Sequence, residues 1–314
     1  MTNAALAFVF PGQGSQKIGM LSEVAQEAPE IQATFAEASE VLGYDLWDLC
    51  QNGEQEAINL TQRTQPLLLT SSVALYRLWR ARGGAVPARM AGHSLGEWSA
   101  LVCSGVLNFK DAVHLVRERG RLMQEAVPVG AGAMAAIIGL EDEVVESACA
   151  GAAEGEVVSA VNYNSPGQIV IAGSAAAVER AIEACKAAGA KKAMPLPVSA
   201  PFHTELMRPA ADKLAPQIEA AKFNAPEIPV VHNVHAKVES DPVAIKALMI
   251  EQIYRPVRWT ACTRKIIDDG AEQLVECGPG KVLSGLTRRI DRSVACHSID
   301  SPSSFNEALR TTAV

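Results

Sequence analysis

The stretch Ala91-Gly92-His93-Ser94-Leu95-Gly96-Glu97 contains a G-x-S-x-G pattern. It stands between a short apolar approach, Ala88–Ala91, and a helix-forming run, Glu97–Val102. A serine on a tight turn between strand and helix is placed to act as a nucleophile. The turn lifts its hydroxyl clear of the backbone. The helix behind it aims free N–H groups and its dipole at any developing oxyanion. The two glycines are expected to permit a turn too sharp for a chain bearing Cβ atoms. The plainer reading is a glycine-rich turn with an incidental serine.

A serine hydroxyl is a weak nucleophile until a base takes its proton, and the chain has six histidines. His93 adjoins the serine, but neighbours on a sharp turn point apart. His114 falls within an amphipathic helix and is expected in solvent. His232 and His235 have H-x-x-H spacing without a helix or a third ligand to support a metal. His297 falls in a strand. His203 stands at a strand-to-helix junction, where an α/β sheet places functional groups, and the order Ser…His suits hydrolase-like sheets. It is the favoured base, against a structural role at a helix start. No Asp or Glu stands out to orient the imidazole, and Gln252 offers a carbonyl instead.

The elements that must carry these residues follow from periodicity and punctuation. Leu6–Phe10 predicts a first buried strand, ended by the turn Pro11-Gly12-Gln13-Gly14-Ser15-Gln16. That turn lacks the third glycine of a dinucleotide fingerprint and the G-K-[ST] of a phosphate loop. Helices are expected over 30–43, over 64–82 entered through Thr64-Gln65-Pro66, and over Phe109–Ala126 after Asn108. The last carries Arg117, Arg119 and Arg121. From 129 to 198 the pattern reads βαββαβ: strands over Ala131–Leu140, Val157–Asn162, Gln168–Ala172 and Lys191–Val198, helices over Glu141–Gly155 and Ala175–Ala188. That is a ferredoxin-like arrangement of roughly 70 residues. Beyond it come a helix to about Ala221, a strand over Pro229–Asn233, helices near Pro242–Gln252 and Trp259–Asp268, a strand over Gln273–Cys277 ending at Gly278-Pro279-Gly280, a helix over Lys281–Arg289 and a closing strand near Val294–Ile299. The expected fold is α/β: a hydrolase-like, mostly parallel sheet covered by helices, residues 1–128 and 199–314, with the small subdomain 129–198 inserted.

Bulk composition narrows the partners. Of 314 residues, 48% are apolar and 20% charged, enough for a sizeable core. The net charge of −7 argues against a general nucleic-acid binder and supplies no basic membrane-binding helix. The seven cysteines are odd in number and include no C-x-x-C pair, which suits a reduced cytoplasmic protein without a cysteine zinc site. The apolar N-terminal run is too short for a signal core or a membrane span.

Six stretches, in order and spanning nearly the whole chain, resemble the malonyl-CoA:acyl-carrier-protein transacylases of fatty-acid synthesis. They are Phe10–Gln16, Gly92–Glu97, Arg119–Ala126, Asn162–Pro166, Ser199-Ala200-Pro201-Phe202-His203 and Gly278-Pro279-Gly280-Lys281. The resemblance implies an acyl nucleophile at Ser94, a base at His203 oriented by a carbonyl of Gln252, and oxyanion donors from the backbone amides of Gln13 and Leu95. It implies that Arg119 clamps a malonyl carboxylate, a role that a planar guanidinium fits; the plainer reading makes Arg119 a surface charge like Arg117 and Arg121. Met123, Phe202, Asn162 and His93 are implied along the substrate pocket, with Phe202 crowding an α-methyl group. Substrates would be malonyl-CoA and pantetheinylated acyl carrier protein, with no cofactor or metal, in a cytoplasmic monomer. The carrier would dock on basic residues such as Arg288, Arg289, Arg292, Lys191 and Lys192. A patatin-like hydrolase using Asp269-Gly270-Ala271, and a silent docking module of a larger synthase, are the competing readings.

Overall fold

The structure is a computed structural model that describes residues 1–198 and 200–314. Ser199, which opens both the Ser199–His203 stretch and the expected second segment of the large domain, lies outside the described residues. The strands in chain order are β1 (Thr2–Phe10), β2 (Val86–Gly92), β3 (Gly132–Ile138), β4 (Val158–Ser165), β5 (Gln168–Ser174), β6 (Lys192–Pro195), β7 (Val230–Val231), β8 (Gln273–Glu276) and β9 (Ala295–Ser298). They form two sheets. One has the order β7-β2-β1-β8-β9 with every pair parallel; the other has the order β4-β5-β3-β6 with every pair antiparallel.

The central position of β1 follows from its sequence. Leu6–Phe10 is an unbroken apolar run, and all five residues are fully buried, as expected for a parallel strand covered on both faces. Phe8 packs edge-on against Trp79 of the helix Thr61–Ala81, ring centroids 5.2 Å apart. Burying a ring of this kind contributes about 1.5–3 kcal/mol. Phe10 pairs with Gly92 and Val9 with Glu276. The loops after β1, β2 and β8 therefore leave the sheet side by side at its C-terminal edge, where α/β proteins assemble sites.

The small sheet runs β-α-β-β-α-β and has two unlike faces. Ala135, Ile137, Ile169 and Ile171 pack with Val145, Cys149, Val178 and Ile182 of the helices Asp142–Ala152 and Ala175–Ala187. Met134, Val161, Val170 and Ala172 belong instead to the core built around β1. The edge strand β4 is extended by Val257, whose amide donates to Val161 O (2.7 Å) and whose carbonyl accepts from Tyr163 N (3.0 Å).

Several elements differ from expectation. The first strand begins at Thr2. The second helix begins at Thr61, so Pro66 lies inside it; burial of Leu67–Leu69, Val73 and Leu75 outweighs the hydrogen bond that Pro66 cannot make. The strands expected over Lys191–Val198 and Pro229–Asn233 shrink to β6 and β7. Short helices Ser22–Glu27, Leu46–Asn52 and Gln55–Ile58 were not anticipated, nor was the C-terminal helix Pro302–Thr311 behind a Ser301 capping box. Among the described residues no helix is long and apolar enough to cross a membrane.

Candidate active site

Ser94 caps the helix Leu95–Cys103 with φ 52° and ψ −110°. A non-glycine residue held there stores of the order of 1–3 kcal/mol of strain. The positive φ of the elbow falls on the serine, and Gly92 and Gly96 do not have positive φ. Their absent side chains matter for contact. A Cβ on Gly92 would run into the backbone of Gly96 and Glu97, and one on Gly96 into the Phe10 carbonyl. The turn is thus pressed onto the end of β1. Gly12 likewise lies against the His93 carbonyl, which brings the Gln13 loop over the turn.

His203, also at positive φ (63°), points Nε2 at Ser94 Oγ, 2.8 Å away. Its Nδ1 lies 2.8 Å from the main-chain carbonyl of Gln252. A carbonyl only accepts, so Nδ1 carries the proton and Nε2 is left to accept from the serine hydroxyl. Burial pushes the imidazole down to about 3, with the neighbouring Arg119 charge acting in the same direction. The ring is therefore neutral and basic in form at neutral pH.

The helix Phe109–Glu125 starts where Asn108 caps it, accepting from Lys110 N at 2.9 Å. Its buried face includes Ala112, Leu115, Val116, Arg119 and Met123, so Arg119 is in phase with the apolar stripe. It is 1% exposed, which overturns the surface-charge reading, whereas Arg121 pairs at the surface with Glu118 and Glu125. Gly120 lets this helix touch Thr61 and Gln62 of the neighbouring one. Arg119 Nη1 donates to Gln65 Oε1 (2.8 Å) and Nη2 to Gln252 Oε1 (2.7 Å), with Nη2 also 3.4 Å from Ser94 Oγ. Burial pulls the guanidinium down to about 10, which leaves it charged at neutral pH. Among the described residues no carboxylate pairs with it, and Nε is buried without a partner. A buried cation held only by neutral amides has the chemistry to accept an anionic group.

Gln252 ties the site together. Besides its two acceptor contacts, its Nε2 donates to the Ser94 carbonyl at 2.8 Å. The Gln13 and Leu95 amides have no partner among the described residues. Met123 is buried and receives Gln65 Nε2 at 3.9 Å. Phe202 is buried beside the base. His93 Nε2 meets Asn164 Oδ1 at 2.7 Å and its ring lies by Trp259. Asn162 Oδ1 is buried and has no hydrogen-bond partner among the described residues. Hydrogen bonds thus join Ser94, His203, Gln252 and Arg119; Asn162, Phe202 and His93 stand outside that quartet.

Three residues of the site were not singled out from sequence: Gln65, Glu97 and Asn233. Each is a buried polar side chain in an apolar stretch, and that was the available signal. The patatin-like alternative fails on position. Asp269 lies before the start of β8, at the opposite edge of the sheet from Ser94, bound to Lys265 (2.6 Å) and Arg89 (3.4 Å).

A serine on a strand-turn-helix elbow, an imidazole on its hydroxyl and a buried guanidinium beside it fit the class of acyl-handling proteins. Residues 7–311 match the acyl transferase domain family, and the chain belongs to that family. It is 59% identical over 303 residues to the malonyl CoA-acyl carrier protein transacylase of Escherichia coli K12, covering 96% of this chain and 98% of the relative. Its fold matches the crystal structure of an acyl carrier protein S-malonyltransferase from Vibrio cholerae (TM-score 0.95, 57% identity, 96% and 99% of the two chains). It also matches a malonyl-transacylase in complex with its type II PKS acyl-carrier protein (TM-score 0.97, 55% identity, 98% and 99%).

Proposed function

We propose that the chain transfers the malonyl group of malonyl-CoA to the pantetheine thiol of acyl carrier protein, supplying extender units for fatty-acid synthesis. The observation that carries this reading is the buried Arg119 guanidinium, 3.4 Å from the Ser94 hydroxyl and in no ion pair among the described residues. A neutral acyl chain would leave that charge without a partner, whereas a carboxylate three carbons long reaches both it and the serine.

Ser94 Oγ attacks the thioester carbonyl while its proton passes to His203 Nε2. The amides of Gln13 and Leu95 hold the oxyanion. The C–S bond breaks, CoA leaves with the proton from His203, and malonyl remains as an ester on Ser94. The pantetheine thiol then gives its proton to His203 and attacks the ester, and Ser94 leaves with that proton. Protons balance on the imidazole alone, so the scheme calls for no cofactor or metal. Gln252 keeps the His203 tautomer and steadies Arg119. Met123, Phe202, Asn162 and His93 line the acyl and pantetheine path. In this reading residues 1–128 and 199–314 carry the chemistry, 129–198 form a separate small subdomain over it, and the protein works as a cytoplasmic monomer.

Two half-reactions through one acyl-enzyme give ping-pong kinetics. Incubation with radiolabelled malonyl-CoA alone, followed by digestion, is expected to leave label on the peptide containing Ser94. Label on any other residue overturns the scheme.

A further inference from the structure

Resting on the acyl-transfer reading but going beyond it, we infer that Asn233 is the positioning residue of the nucleophile and that Glu97 sets Asn233. Asn233 is fully buried, two residues past β7. Its Oδ1 accepts from the Ser94 amide (2.9 Å) and its Nδ2 donates to the Gly92 carbonyl (2.8 Å). One planar amide thus bridges the two peptide groups on either side of His93. Its own backbone amide donates to Glu97 Oε1 at 2.6 Å. Glu97 is 1% exposed and lies in the first turn of the helix that begins at the elbow.

Ser94 sits in a backbone conformation that it would leave if free. Rotation about its N–Cα bond swings Oγ off the His203 nitrogen. Asn233 fixes the amide on that side of the residue, and Gln252 Nε2, together with the Glu97 main-chain amide (3.0 Å), fixes the carbonyl on the other. A side-chain amide from a distant segment therefore acts on each side of the nucleophile, alone at its amide and alongside the first helical turn at its carbonyl. Glu97 takes the Asn233 amide that a longer β7 would have used in its ladder, which turns the Asn233 side chain toward the elbow. Neither Asn233 nor Glu97 meets the Ser94 hydroxyl, so both act through the orientation of Ser94.

Rapid-quench, single-turnover acylation by malonyl-CoA separates positioning from folding, because the amplitude counts competent molecules and the rate constant reports how they react. Asn233→Ala is expected to lower the rate constant by about 10–100-fold at full amplitude, since a displacement of an ångström or less costs that much. KM for malonyl-CoA should stay within about twofold, because the Arg119 contacts are untouched. Glu97→Ala should slow acylation in the same way while keeping the asparagine itself in place in the sequence, so the effect is readable even where Asn233 variants fold poorly. Glu97→Gln, which keeps an acceptor oxygen, should restore most of the rate. Asn233→Ala with Glu97→Ala should be no slower than Asn233→Ala alone. A lower amplitude with an unchanged rate constant overturns the proposal in favour of a purely structural role, and additive losses overturn the link between the two residues. Wild-type label away from Ser94 would instead overturn the acyl-transfer scheme.

Discussion

His203 Nδ1 lies 2.8 Å from the Gln252 main-chain carbonyl, where a carboxylate would stand in a Ser-His-Asp arrangement. A carbonyl fixes the tautomer as a carboxylate does, but it brings no negative charge to favour the imidazolium. Burial and Arg119 therefore hold the His203 pKa far below the ordinary value of 6.5, at about 3. The base stays unprotonated through mildly acidic conditions, and single-turnover acylation should show no acid limb with a midpoint near 6.5. The linkage sign is definite. Between about 6.5 and about 3 the unfolded chain binds a proton at this site that the folded chain does not, so stability falls as pH drops through that window. Thermal unfolding of wild type should lose more Tm between neutral and acidic pH than His203→Gln does. Equal losses in the two proteins would contradict the low pKa.

Arg119 is the selectivity element on this reading. A bidentate pair with a carboxylate contributes hydrogen bonds of about 1.5–3 kcal/mol each. Arg119→Ala should lower kcat/KM for malonyl-CoA by about 10²–10⁴-fold while acetyl-CoA changes little or improves. Because Arg119 is the second cause of the depressed His203 pKa, the same variant should move the acid limb to higher pH. Gln65→Leu, which removes the Nη1 acceptor, should show a weaker malonyl-specific loss, about 10-fold and mostly in KM. A substrate panel of malonyl-, methylmalonyl- and acetyl-CoA reads all of these effects. Parallel losses on acetyl- and malonyl-CoA would remove Arg119 from carboxylate recognition.

How much was legible depended on how local the cause was. The parallel sheet, the βαββαβ segment and the serine turn are written in short-range patterns: an apolar run, alternating strands, two glycines around a serine. Asn108 announced the helix that carries Arg119. Nothing local announced Gln65, which reads as a helix entry because Pro66 follows it. Glu97 reads as the first residue of a helix-forming run, and Asn233 as the last residue of a strand. Their roles arise only where Asn233 meets Ser94 and Gly92 from more than a hundred residues away. The helix Pro302–Thr311 carries little sequence signal because few of its residues are apolar, with Phe305 and Ala308 the two that are buried.

Contacts rather than dihedrals make the elbow glycines necessary, and that distinction is measurable. Gly96→Ala would place a methyl on the Phe10 carbonyl, a backbone atom that cannot yield without moving β1. A loss of about 1–3 kcal/mol is expected from such overpacking, with a fall in acylation rate because the elbow shifts. Gly285 provides the contrast. It lies inside the helix Val282–Ile290 with open space where a methyl would stand and no positive φ, so Gly285→Ala should raise stability by about 0.5–1 kcal/mol. Chemical denaturation of both variants gives the comparison, and a Gly96→Ala protein as stable and active as wild type would refute the contact argument.

If the carrier is acidic, its approach to a chain of net charge −7 calls for local positive surface. Arg288 and Arg289 are exposed in the last turn of the helix Val282–Ile290, Arg292 follows it, and Lys191 and Lys192 are exposed just before and at the start of β6. Among the described residues none of the five forms an ion pair. The helix dipole alone accounts for cations at a C-terminus, so the test must separate helix stability from docking. Reversing Arg288 and Arg289 to Glu should raise KM for the carrier several-fold, about 3–10-fold, and flatten its salt dependence, because steering charges act on encounter. The CoA half-reaction, measured as acylation of Ser94, should be unchanged. Carrier kinetics that keep both their KM and their salt dependence in the reversed variant would move the docking face elsewhere.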